Sequence, residues 1–137
     1  MLDAGLPLEM ERKMALSRWF LIVGSLYLVV GISLGMHMGT SGDHTLAPVH
    51  AHINLLGFTL MTLFGLSYRL VPALAGSRLG LWHFWLFEAG VLVQLLALYI
   101  LYAEVLPEAT IGPVLGVAHF VVLGGIIVWL VNLWRSA

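Results

Sequence analysis

The chain has 137 residues, of which 61% are hydrophobic and 9% charged, and its mean hydropathy is +1.00. A soluble domain of this size keeps roughly a quarter of its residues charged, so this chain cannot cover a water-soluble globule and lipid is its expected solvent. A net charge of −1 offers no basic face to nucleic acid, and the lack of cysteine excludes disulfides, thiolate metal sites and cysteine nucleophiles.

Asp3, Pro7, Glu9, Glu11, Arg12 and Lys13 lack the pattern of a cleaved secretory signal. Residues 1–15 therefore read as a short cytoplasmic lead-in, helical at the membrane interface. Four apolar runs follow, at about residues 19–38, 48–70, 81–103 and 111–134. Each reaches the ~20 residues that a helix needs to cross ~30 Å of hydrocarbon at ~1.5 Å per residue. The breaks at 39–47, 71–80 and 104–110 are rich in Gly, Pro, Ser, Thr and acids. Connections this short make neighbouring helices antiparallel. The expected fold is all-α, one integral membrane four-helix bundle over residues 1–137.

Arg12, Lys13, Arg18, Arg69, Arg78 and Arg135 all fall on one side of these spans, and Asp43, Glu104 and Glu108 on the other. The positive-inside rule then puts both termini in the cytoplasm. Trp19, Trp82, Trp85, Trp129 and Trp134 lie near the inner ends of their spans, as interfacial anchors do. Gly24, Gly31 and Gly35 form a stripe on span one, and Gly112 and Gly116 repeat the GxxxG spacing on span four. Small residues let helices approach closely in lipid, either within the bundle or between protomers.

Five of the six histidines fall in the outer half. His37 ends span one, His44 is in the outer loop, His50 and His52 open span two, and His119 lies ~10 Å into span four. Ionisable groups in hydrocarbon are costly, so each is a functional hypothesis, and imidazole is the commonest ligand for haem iron, copper and zinc. Pro48 suits the first turn of a helix. At ~100° per residue, His50 and His52 then point ~200° apart, so they cannot clasp one ion; such a helix suits two sites, one on each flank. Below His50 the same face shows Asn54, Gly57 and Met61. Gly57 leaves room for a flat macrocycle, and Asn54 suits orienting the imidazole or bonding a cofactor.

The stretch His50-Ala51-His52-Ile53-Asn54-Leu55-Leu56-Gly57-Phe58 resembles subunit I of the haem–copper oxidase superfamily, especially its nitric oxide reductase-like branch. The chain resembles more closely a group of short bacterial membrane proteins labelled cytochrome c oxidase subunit I-like. Met38-Gly39, Gly42-Asp43-His44, Tyr68-Arg69 and His83-Phe84-Trp85-Leu86 carry that second likeness over most of the chain. It implies one four-helix arc of a twelve-helix ring, in a bacterial inner membrane, with a homotrimer rebuilding the whole. It also implies haem b between His50 of one protomer and His52 of the next, and electron transfer with a redox partner or haem-based sensing. The chain departs from the large family at residues 95–100, which hold no histidine where the copper ligands belong, and no counterpart of the cross-linked tyrosine is recognisable. A complete oxygen-reducing centre is therefore not expected.

Other readings stay open. Met36, His37, Met38 and His44 offer thioether and imidazole donors for copper or zinc binding or transport. Asp43 suits holding His44 as a ligand, and His119 suits a distal ligand, a proton relay or a packing hydrogen bond. Glu88 needs a partner on another helix or a proton, and His83 with Arg78 and Arg69 suggests a polar cluster at the inner side. A non-catalytic assembly factor, with histidines that only pack helices, is the remaining alternative.

Overall fold

The computed structural model describes residues 8–136, apart from the side chains of residues 8–10, 12 and 13; the lead-in expected at residues 1–7 lies outside the described residues. No glycine or proline stands between Leu8 and Val23, and α1 (Leu8–Ser41) runs unbroken. Residues 8–15 thus continue span one instead of forming a separate interfacial segment. Gly42, at φ +70°, ends this helix by donating its N–H to Met38 O at 3.0 Å, a left-handed cap that a side chain would strain.

Span two begins as α2 (Ala47–His52), with Pro48 in its first turn, and continues as a π-helical segment (Ile53–Leu60) and α3 (Met61–Leu70). Val71, at φ −120°, stops α3 because the following Pro72 excludes helical geometry. A single turn, α4 (Pro72–Ala75), leads to α5 (Arg78–Tyr102), and α6 (Glu108–Ser136) completes the chain. Four helices are long and apolar enough to cross a membrane: Met14–Ser41, Ala47–Leu70, Arg78–Tyr102 and Glu108–Ser136. The molecule is a multi-pass, all-helical membrane protein. Its helices outrun the apolar runs by a few residues because Arg78 and Glu108 enter first turns at little cost.

Spans one and two lock through alternating notches. Cβ atoms added at Gly35, Gly31 and Gly24 would meet His50, Asn54 and Met61 at 2.9, 2.6 and 3.2 Å. In return, Gly57 and Gly65 on span two receive Tyr27 and Leu21. The register is antiparallel, and Ser17 Oγ reinforces it by donating to Gly65 O at 2.8 Å. Lipid supplies no hydrophobic drive between helices, so close van der Waals contact of this kind carries the association. The span-one glycines therefore serve packing within the chain.

Spans three and four approach still more closely. A Cβ at Gly90 would lie 2.8 Å from Val122 N, and one at Gly125 would lie 2.9 Å from Phe87 N, so backbone meets backbone. Gly116 has nothing within 4 Å and Gly112 meets only Glu108 of its own helix, so neither contributes to packing between helices of the chain. The two hairpins join through a core in which Phe20, Phe64, Tyr68, Phe84 and Phe87 crowd around His83. Fully buried Leu74 of α4 plugs the end of the bundle where Arg18, Arg69, Arg78 and Arg135 lie. Asn132 of α6 fastens this plug, donating to Leu74 O at 2.8 Å and accepting from Ser77 Oγ at 2.7 Å.

Candidate histidine site

At the end opposite the arginines, α2 presents His50 and His52 half-buried. His50 Nδ1 lies 2.9 Å from Gly31 O of span one, and His52 Nδ1 lies 2.7 Å from Pro48 O of its own helix. A carbonyl oxygen carries no proton, so each Nδ1 is the donor, and in the tautomer this selects the lone pair lies on Nε2. The structure therefore fixes the same tautomer twice. It also separates the rings: His50 packs on the span-one notch at Gly35, while His52 folds back over Pro48.

Asn54 donates to His50 O at 2.9 Å, and its side-chain nitrogen lies a long 3.4 Å from both ring nitrogens. Its short bond is thus to the His50 backbone and not to the imidazole, and its amide tip sits in the notch at Gly31. The space expected beside Gly57 for a macrocycle is filled differently. The Tyr27 ring occupies it, and a Cβ there would lie 2.5 Å from Tyr27 Cγ. The face carrying His50, Asn54, Gly57 and Met61 is continuous, but span one covers it.

Immediately below His52 the helix widens into its π-helical segment, where Thr59 Oγ1 donates to Asn54 O five residues back at 2.9 Å. Such segments are rare and concentrate at functional sites.

The other outer histidines do not join the pair. Met36 is exposed and Met38 buried, so their thioethers do not flank one position, and His37 is exposed. Asp43 does not hold His44: its Oδ1 accepts from Thr45 Oγ1 at 2.6 Å and Thr45 N at 2.9 Å, while His44 Nδ1 lies 3.1 Å from Gly42 O. The Thr45 hydroxyl, and then its amide, hold the exposed Asp43 carboxyl below the usual carboxylate range. His119 is exposed on α6 and makes no hydrogen bond among the described residues. Among those residues no three His, Asp or Glu side chains are placed to share one ion.

Three polar side chains found partners that sequence reasoning did not name. Tyr27 Oη donates to Glu88 Oε1 at 2.9 Å across spans one and three, leaving Oε2 buried and without a partner. Tyr68 Oη lies 3.0 Å from His83 Nδ1, and the His83 ring stands nearly perpendicular to Phe64 at 4.4 Å between centroids. His83 is thus sealed in an aromatic box, and the expected cluster with Arg78 and Arg69 does not form, since both arginines are exposed. Trp129 donates to Ser67 Oγ at 3.2 Å and so binds span four to span two. Each of these is a lone polar residue in an apolar run, and that was the available signal.

No protein-family model, curated protein or solved structure matches this chain.

Proposed function

We propose that the chain is a haem b-binding membrane protein that transfers single electrons or senses redox state or gas, with His50 and His52 as axial ligands. One observation carries this reading: both rings spend Nδ1 on a backbone carbonyl and keep Nε2 as a lone-pair donor. Haem iron already holds four porphyrin nitrogens and needs only one or two imidazoles, whereas a zinc ion takes three or four converging protein ligands. The isolated imidazoles of this chain match the first requirement. When bound, the group would supply a one-electron iron couple, and His50 and His52 would be the residues that hold it.

This chain's own residues would tune that site. Gly31 O and Pro48 O would fix ring orientation, and Asn54 braces the His50 backbone. Because Tyr27 fills the space at Gly57, the group would have to sit against the parts of the half-buried His50 and His52 rings that the chain leaves uncovered, and not against Gly57. The separation of the two rings supports the arrangement implied by the likeness to subunit I, with His50 of one protomer and His52 of the next serving one haem. By that likeness the chain would form a homotrimer of such arcs, with the basic end in the cytoplasm of a bacterial inner membrane, and the glycines at 112 and 116 leave α6 open to a neighbour. Membrane lipid and a redox partner complete its surroundings.

A second reading has its own observation: His50 fills the notch at Gly35, as a purely packing residue would. Reduced-minus-oxidised spectra of protein expressed with ample haem precursor separate the two. The haem reading predicts an α-band in the parent that is lost in both His50→Ala and His52→Ala and kept in His119→Ala, with helical content unchanged. A colourless parent protein overturns it.

A further inference from the structure

A second site lies at the opposite end of the molecule and owes nothing to the haem reading. Two cavities adjoin on the face of span three. One, an open depression of about 520 Å³, is lined by the exposed Arg78, Leu81, Trp82 and Trp85 of span three alone, at the basic end. The other, of about 670 Å³, runs between spans one and three and shares Leu81 and Trp85 with the first. Their walls change character along the way. Arg78 and Trp82 stand at the mouth, and the longer cavity passes Ala15, Trp19, Val23 and Phe84 before ending near Leu92.

We infer that this continuous groove binds one anionic phospholipid, with its phosphate on Arg78 and one acyl chain between spans one and three. Length is the first argument. Eleven residues at ~1.5 Å each put Leu92 about 16 Å above Leu81, which matches the ~15 Å half-thickness of a bilayer core. Charge is the second. Arg78 is exposed and makes no ion pair among the described residues. The fully described cations Arg18, Arg69, Arg78 and Arg135 all lie at this end, and a lipid phosphate on Arg78 offsets part of that charge. Chemistry along the groove is the third. Exposed Trp82 and Trp85 combine an apolar ring with one N–H donor at headgroup level. Glu88, the one acid in the wall, has Oε1 bonded to Tyr27 and Oε2 sealed from solvent, so it does not oppose an anion at the mouth.

Trp19 and Trp85 lie in the wall of the acyl channel, so they report its occupant. The full chain is reconstituted in vesicles carrying phospholipid brominated in mid-chain, either anionic phosphatidylglycerol or zwitterionic phosphatidylcholine, at matched low mole fraction. Tryptophan quenching by the anionic lipid should exceed that by the zwitterionic one severalfold. Arg78→Gln should abolish the difference and Arg69→Gln should preserve it, while Ala15→Phe, which fills the channel, should lower quenching by the anionic lipid. Equal quenching by both lipids in the parent protein overturns the proposal. So does an equal loss in Arg69→Gln and Arg78→Gln, which marks a diffuse basic belt. Exclusion of both lipids likewise overturns it and marks a second copy as the occupant.

Discussion

Tyr27 and Glu88 meet inside the hydrocarbon, where an unbonded oxygen finds no water to replace a lost partner. Tyr27→Phe should therefore cost about 1–3 kcal/mol, because it leaves Glu88 Oε1 as bare as Oε2 already is. Adding Glu88→Leu should recover most of that loss, since removing both partners also removes the unmet need. Reversible unfolding in detergent of the four members of this cycle measures the coupling. Outside the membrane, Asp43 gives a pH prediction. Its carboxyl is held below the usual range by Thr45, so the outer turn gains its full support above the ordinary Asp value of ~3.9. That support disappears as pH falls through the lower native value. The Thr45 amide should accordingly lose hydrogen-exchange protection only in that acid window, and Asp43→Asn should remove the transition.

Elements in this fold are placed by glycine, and the clearest case is the α5–α6 contact. A methyl at Gly125 meets the Phe87 backbone, which cannot swing aside as a side chain can. Gly125→Ala should cost about 1–3 kcal/mol by forcing the hairpin apart. Gly124→Ala, one residue away and facing open space, should cost nothing measurable in the same thermal unfolding assay. The end of α5 offers the reverse effect. Val105 N–H donates to Ile100 O at 3.0 Å and Glu104 N–H to Leu101 O at 3.1 Å, a Schellman cap with Glu104 at φ 54° where glycine is the usual occupant. Glu104→Gly should raise stability by about 0.5–1 kcal/mol, read as a higher unfolding midpoint. Four spans and their antiparallel order were legible from apolar runs and short breaks. The π-helical segment was not, because π and α geometry use the same apolar residues and differ only in which carbonyl each N–H reaches. Nor was the filling of Gly57 by Tyr27 legible, since the vacancy a glycine leaves says nothing of which neighbour enters it.

At the scale of the whole molecule the two ends differ in kind. The basic end is closed by α4, with Leu74 and Asn132 buried, and its aromatic box seals His83. The other end carries His50 and His52, whose rings are oriented by backbone carbonyls and which, among the described residues, no third His, Asp or Glu joins. The pairing of His50 with His52 on separate flanks was readable from a two-residue spacing on a helix, and their shared tautomer was not, because it depends on where Gly31 O and Pro48 O fall in space. Two imidazoles on separate flanks, each with Nδ1 on a backbone carbonyl and with the Asn54 amide nitrogen 3.4 Å from His50 Nε2, are the geometry on which the haem proposal rests. The most direct measurement is the pyridine haemochrome assay set against protein content, on the chain purified from cells with ample haem precursor. Shared ligation by His50 and His52 predicts about one haem b per chain; a preparation that contains no haem contradicts it.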